Sequence, residues 1–480
     1  MRVLFVSAEV APFAKVGGLA DVAASLPKAL RALGHDVRVV MPAYRMVEHD
    51  PHWEVETEVG GVHVAMNPGW SKRAYLRCGV HDDVPIYLLG TDEWFNKAVN
   101  SETVYRPGCD QYLFFASALL ECFAAKGWIP DVVHTNDWHT GFVPVLMREL
   151  HGAQWGEAAS VHTIHNLAYQ GEFGFEVLDK VGLPHHLFNL HRLEAHNQVN
   201  FLKSGCVYAD QTNTVSPRYA REIQTPEYGC GLDGLMRHLH AEGRLSGILN
   251  GIDLNTFDPV TDPKLPAHYS VDDRAGKAEC RRAVLSEVGL KPLRGAPLAS
   301  IISRLSEQKG FDLLDEILPE LVALPMQIVV LAVGDPYSAS HLRAAEARFG
   351  DRVRFVERFD PDLAQRLYAG SDLFLMPSAF EPCGLGQLIA LRYGTVPVVR
   401  ETGGLADTVH EGENGFVFGP RDPAAFLDAC RRAHNAYGTP GWDTMVVHGM
   451  RQDVGWDASA KKYEQVYEVA RARCADRAVS

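Results

Sequence analysis

Arg304 and Lys309 stand five residues apart in SRLSEQKG, across the end of a strand-like run and the start of an apolar-periodic segment. Two cations so placed can face a diphosphate, although the same pair on a solvated surface is only two charges. Further along, Glu381 is followed by Pro382, which restrains the chain, and then by Cys383, Gly384 and Leu385, whose amides open a helical run through Ile389 and Leu391. A carboxylate at that point can grip sugar hydroxyls while the N–H groups face a phosphate. Two glycine pairs, Gly17 and Gly18 in KVGGLAD and Gly403 and Gly404 in TGGLAD, either let a ligand reach main-chain amides or serve only as tight connections. Neither fits GxGxxG or GxxxxGK[ST], which argues against a nicotinamide cofactor and against P-loop phosphoryl transfer. TNDWH and TIHN add Asp137, His139, His165 and Asn166. His165 is equally a structural histidine, and Asp137 equally a helix N-cap.

Each of these residues follows a strand-like run. VLFVSA, the helical spacing of Leu19, Ala23, Leu26, Leu30 and Leu33, and GHDVRVVMP read as a βαβ unit despite Pro27 inside the helix. VPIYLLG, DVVHTN, SVHTIH and QTNTVS are further strands, and VETEVGGVHVAM reads as a hairpin. After the Asn, Gly, Asp and Pro cluster in SGILNGIDLNTFDPVTDPKLP the pattern restarts with PLASIISRL, MQIVVLAVGD, RVRFVER, DLFLMPS, TVPVVR and GFVFGP. Short buried strands with helical crossovers predict two mainly parallel, doubly wound α/β domains, 1–250 and 251–455. Trp456, Ala460, Tyr463, Tyr467 and Ala470 predict a last amphipathic helix over 456–480. In open parallel sheets ligands bind beyond the carboxyl ends of the strands, where all these polar groups fall, Gly334 and Asp335 included.

Composition narrows the partners. The 480 residues carry 46 basic and 60 acidic side chains, a net charge of −14, which argues against a surface made for nucleic acid or anionic lipid. The nine cysteines are scattered and never form CxxC, so neither a disulfide framework nor a zinc site is expected, and a reducing cytosol fits best. The N-terminus reads as a strand and glycine turn rather than a secretory signal, and runs such as LASIIS and IVVLAVG are far too short to cross a bilayer.

In this arrangement the chain resembles the bacterial and plant type of glycogen and starch synthases. These are retaining glucosyltransferases of the GT-B fold, in which two Rossmann-like domains face a cleft. The likeness runs in order from VLFVSAEVAPFAKVGGLADV through HTNDWHTGF, HTIHNLAYQGEF, NTVSPRYAREI, ILNGIDLNTFDP, SRLSEQKGFDLL and PSAFEPCGLGQL to TGGLADTV. It implies ADP-glucose as donor, the nonreducing 4-OH end of glycogen or another α-1,4-glucan as acceptor, and neither metal nor organic cofactor.

Position by position, the resemblance puts Lys15 at the lysine of the KTGGL motif and Arg304 and Lys309 at the donor-diphosphate cations. His165 falls at the active-site histidine and Glu381 at the glutamate of EPCGL, while Asp137, His139 and Asn250 match further polar positions of the cleft. Three residues depart from the pattern: Val16 and Gly386 replace threonines, removing hydroxyls from the diphosphate side, and Phe359 replaces a tyrosine near the nucleobase but keeps a stacking face. Ile389 stands where many other GT-B enzymes carry a second glutamate, as in this family. Two other readings use the same residues: a GT-B enzyme with UDP-glucose or another acceptor, and a noncatalytic glucan-binding regulator. KVGGL, TIHNLAYQG and EPCGL together weigh against the first, and intact Lys15, His165, Arg304, Lys309 and Glu381 against the second.

Overall fold

The computed structural model describes residues 1–50, 52–66, 69–91, 94–105 and 107–479. By its internal contacts the chain divides into two units: Met1–Asn250 with the segment that begins at Trp456, and Gly251–Gly455.

In the first unit the apolar runs become strands β1 (Arg2–Val6), β2 (Asp36–Pro42), β3 (Glu56–Met66), β4 (Trp70–His81), β5 (Val84–Gly90), β6 (Val132–Asn136) and β7 (Ala159–Ile164). β8 (Glu172–Phe173), β9 (Glu194–Ala195) and β10 (Gln198–Asn200) form a small antiparallel sheet, and β11 (Gln211–Thr214) and β12 (Leu245–Gly247) complete the main one. Its order is β12-β11-β7-β6-β1-β2-β5-β4-β3, parallel from β12 to β5 and antiparallel at β4 and β3. The central strands are buried on both faces: β1 does so with an apolar run, whereas β6 and β7 also bury His134, Thr135, Asn136, Ser160, His162 and Thr163. VETEVGGVHVAM is not a hairpin by itself. Glu56–Met66 is one strand paired with Trp70–His81, and Gly60 and Gly61, the latter at φ +72°, lie where the register slips between Val59 and Val62. The glycines make a bulge, not a turn.

The helix Gly18–Ala32 buries Leu19, Val22, Ala23, Leu26 and Leu30, and Pro27 lies within it with its ring in the core. A last helix, Asp457–Val479, buries Ala460, Tyr463, Tyr467 and Ala470 on one face. Tyr467 donates to His134 Nδ1 at 2.8 Å, His134 Nε2 reaches Thr163 Oγ1 at 2.6 Å, Thr163 donates to Asn213 at 2.7 Å, and Asn213 donates to the Tyr463 hydroxyl at 3.1 Å. This buried chain satisfies every polar group it contains and ties the helix beneath β6, β7 and β11.

The second unit holds β13 (Leu298–Leu305), β14 (Gln327–Gly334), β15 (Val353–Val356), β16 (Leu373–Met376), β17 (Val396–Arg400) and β18 (Phe416–Phe418), all parallel in the order β15-β14-β13-β16-β17-β18. Among the described residues no helix is long and apolar enough to cross a membrane.

Candidate active site

In the first unit the chain builds outward from β1 to β2 and β5, then returns to place β6 and β7 on the other side of β1. Loops after β1 and β6 therefore diverge and leave a crevice, the usual ligand point of such sheets. Lys15, Gly17 and Gly18 follow β1, Asp137 and His139 follow β6, and His165 and Asn166 follow β7, on three adjacent strands.

The loop after β1 is held by Glu9, a residue the motifs did not single out. Its Oε2 accepts from the Val16 and Gly17 amides at 2.5 and 2.9 Å, and its Oε1 accepts from the Tyr105 hydroxyl at 2.8 Å. Those two amides are thus taken by a side chain. Glu9 is buried, and desolvation raises its pKa against the lowering by these donors. Lys15, at the loop's outer edge, pairs with Asp21 at 2.6 Å. Glu9 stands a few residues after a strand, as the singled-out residues do, and that position was the available signal.

Asp137 does not cap its own helix. It is the first residue of the turn Asp137–Thr140, at φ +55°, and its Oδ1 accepts from the His165 amide at 2.7 Å, fastening the β6 loop to the β7 loop. Burial pushes its pKa up to about 7 in spite of that bond. Asn136 Nδ2 donates to the Val6 carbonyl at 3.0 Å, which orients the amide and leaves Oδ1 as the acceptor for His165 Nε2 at 2.9 Å. Burial lowers the His165 pKa to about 3, so the ring is neutral, with its proton on Nε2 and a lone pair on Nδ1. His139 is stacked between Tyr105 and Trp138, at centroid distances of 4.3 and 4.0 Å, and burial lowers its pKa to about 3. Its Nδ1 has no partner among the described residues. The Asn166 side chain closes a local turn on Ala168 N at 3.0 Å, and Asn250, buried at the end of this unit, leaves its Oδ1 without a partner among the described residues.

In the second unit the equivalent crevice opens between β13 and β16. Lys309 donates to Glu381 Oε2 at 2.6 Å and Ser378 to the same oxygen at 3.1 Å, so the cation and the carboxylate form one half-buried pair rather than two independent groups. Arg304 is exposed, and its guanidinium makes no hydrogen bond or ion pair among the described residues. Cys383 is buried, Gly384 takes φ +74°, and Leu385 leads into a short helix, Gly386–Arg392. A Cβ at Gly386 would lie 2.9 Å from the Phe374 ring, so the glycine lets that ring pack against the start of the helix. Of the two readings of Gly403 and Gly404, the structure shows the tight connection. A Cβ on Gly403 would meet the Glu381 carbonyl at 1.9 Å, one on Gly404 would meet the Cys383 carbonyl at 2.2 Å, and the Gly404 amide donates to Glu381 O at 3.1 Å. The pair lets two backbones touch. Phe359, beyond β15, presents a ring that is 71% exposed.

With this geometry in place, the likeness to known proteins is specific. Residues 2–238 match the starch synthase catalytic domain family and residues 296–435 the glycosyl transferases group 1 family. A glycogen synthase of Geotalea uraniireducens is 42% identical, covering 98% of this chain and 99% of that one, and a glycogen synthase of an Anaeromyxobacter species is 44% identical, covering 97% and 99%. The chain belongs to the glycogen and starch synthase family. Among solved structures, the catalytic domain of starch synthase IV from Arabidopsis thaliana, bound to ADP and acarbose, matches with a TM-score of 0.91 and 32% identity over 98% of this chain and 99% of that one. A sucrose-phosphate synthase from Thermosynechococcus elongatus, at a TM-score of 0.62 and 20% identity, shares the fold. This member of the family has the GT-B fold.

Proposed function

We propose that the chain is a cytoplasmic glycogen synthase that transfers glucose from ADP-glucose to the nonreducing 4-OH of an α-1,4-glucan with retention of configuration. The 1–250 unit would take the glucan, the 251–455 unit the sugar nucleotide, and the last helix would brace the first. The observation that carries this reading is the half-buried Lys309–Glu381 pair at the switch point of a GT-B unit, with the exposed Arg304 at the end of the strand that precedes Lys309.

The chemistry follows from charge. Arg304 and Lys309 neutralise the charge that grows on the departing diphosphate as the C1–O bond breaks. Glu381, held by Lys309 and Ser378, presents its remaining oxygen to glucosyl hydroxyls. The neutral His165 ring, its proton committed to Asn136, offers a lone pair that favours the positive, oxocarbenium-like sugar. Retention then comes from front-face attack, the departing phosphate oxygen taking the acceptor's proton. Phe359 stacks on the nucleobase, while Lys15, His139 and Asn250 line the path of the substrates.

Radiolabelled transfer to glycogen from ADP-glucose and from UDP-glucose, side by side, tests the reading. Label should enter α-1,4-linked polymer, faster from ADP-glucose. A preference for UDP-glucose would overturn the donor assignment, and binding of glycogen without transfer from either donor would leave the chain a noncatalytic glucan binder.

A further inference from the structure

The helix Gly386–Arg392 joins two places in the second unit. At its beginning Gln387 donates to the Cys383 and Gly384 carbonyls, at 3.1 and 3.0 Å, and so grips the loop that carries Glu381. At its end Tyr393 is a meeting point for three residues from earlier in the unit. Its carbonyl accepts from Lys277 Nζ at 3.0 Å and from the Tyr269 hydroxyl at 2.8 Å, and its own hydroxyl donates to the buried Asp262 at 2.6 Å. Lys277 spends its other two N–H groups on the Ala369 carbonyl at 2.9 Å, in the last turn of the helix Pro361–Gly370, and on Thr395 Oγ1 at 2.9 Å, just before β17. All three acceptors are neutral, and two lie at helix C-termini, where unpaired carbonyls favour a cation. The proposed transfer chemistry does not use this lysine.

We propose that Lys277, acting through Tyr393, is a positioning residue for donor binding: its ammonium locks the far end of the Gly386–Arg392 helix and thereby sets the Glu381 loop at the near end. The proposal rests on the reading of Lys309 and Glu381 as donor-binding groups. An ammonium has three donors for three acceptors; a neutral amine has two, and turns a lone pair toward a carbonyl. The charged and titratable groups around Nζ are Arg274, Cys280 and Arg281 on its own helix and N-cap, Tyr269 before it, Asp372 beyond the Pro361–Gly370 helix, and Tyr393 with Asp262. Burial outweighs their effect and lowers the Lys277 pKa to about 8. The sign gives a signature. The folded chain loses this proton before the unfolded chain does, so above pH 8 the group's contribution to global stability rises while the clamp weakens. A merely structural lysine would not separate the two.

Calorimetric titration of ADP, together with kcat and KM for ADP-glucose, tests the proposal on the full chain. For K277M the expected result is ADP binding about tenfold weaker and a raised KM for ADP-glucose at an unchanged KM for glycogen, with K277R recovering most of the loss. In the wild type, ADP affinity should fall several-fold as pH rises through about 8, and K277R should flatten that fall. Y393F, which keeps the carbonyl but loses the bond to Asp262, should weaken ADP about threefold. ADP affinity unchanged in K277M and Y393F, or a wild-type profile that K277R reproduces, would overturn the proposal while leaving the functional reading intact. A wild type that neither binds ADP nor transfers glucose would overturn both.

Discussion

In the first unit GGLAD follows β1, and the amides of Val16 and Gly17 are held by the buried carboxylate of Glu9. In the second unit the same five residues follow β17, and there the turn is pressed backbone to backbone against Glu381 and Cys383. Gly17 sits at φ −145°, which any residue adopts, and a Cβ on it would find only Glu9 Oε1 at 3.8 Å. Gly403, its counterpart, sits at φ +45° with no room for a Cβ at all. Gly310, after Lys309, repeats the second pattern: φ +72°, and a Cβ 2.1 Å from the Pro377 carbonyl. The comparison teaches that one sequence motif can be fixed by charge or by shape. A loop fixed by a carboxylate responds to protonation, whereas a loop fixed by glycine contacts responds to added volume.

The strongest way to sharpen this contrast is to remove charge from the second loop without touching its backbone. Glu381→Gln keeps the carbonyl on which Gly403 and Gly404 pack but releases Lys309 from its ion pair. Turnover with ADP-glucose should fall by about 10² to 10³. Near-normal turnover would remove Glu381 from the chemistry.

The converse change strikes the first loop. Glu9→Gln puts a donor where the loop or Tyr105 already supplies one, and should destabilise the first unit by about 1–3 kcal/mol with a loss of transfer activity on the order of tenfold. Urea unfolding followed beside glycogen-dependent transfer reads both. No change in either would mean that the carboxylate does not hold the turn.

A smaller effect concerns Asp137, the second carboxylate that fastens a loop in the first unit. Its folded pKa of about 7 lies above the ordinary value of 3.8, so the folded state keeps a proton that the unfolded state has lost. The stability gained from that proton is full below about pH 4 and is lost as pH rises toward 7. Asp137→Asn keeps an acceptor for the His165 amide and should flatten this part of the pH–stability curve. Parallel curves for the two proteins would contradict the assignment.

Much of this was legible in the sequence because the two main sheets are mainly parallel and buried at their centres, so many strands stand out from the helical segments and polar residues after them mark the ligand edge. VPIYLLG is β5, residue for residue. What the sequence concealed is pairing. VETEVGGVHVAM looked like a hairpin because Gly60 and Gly61 are turn residues, yet a long partner strand turned them into a bulge. Lys309 and Glu381 were visible as separate charges 72 positions apart, and only the fold brings them to 2.6 Å. Gly386 reads as a lost hydroxyl, and only the fold shows Phe374 packed against it. Glu9 carries no motif of its own, and Gly403 and Gly404 carry the same letters as Gly17 and Gly18.

The matched pair Gly17→Ala and Gly403→Ala is therefore the direct test, read as thermal unfolding midpoints of the full chain. For Gly403→Ala the expected loss is about 1–3 kcal/mol or more, since both space and φ oppose the methyl group. That corresponds to a fall of roughly 2–4 °C per kcal/mol for a unit of this size. Gly17→Ala should stay within about 1 °C of the wild type, so that any activity it loses reports a ligand meeting the methyl group. Equal falls in the two variants, or a larger fall in Gly17→Ala, would contradict the claim that one turn is fixed by charge and the other by shape.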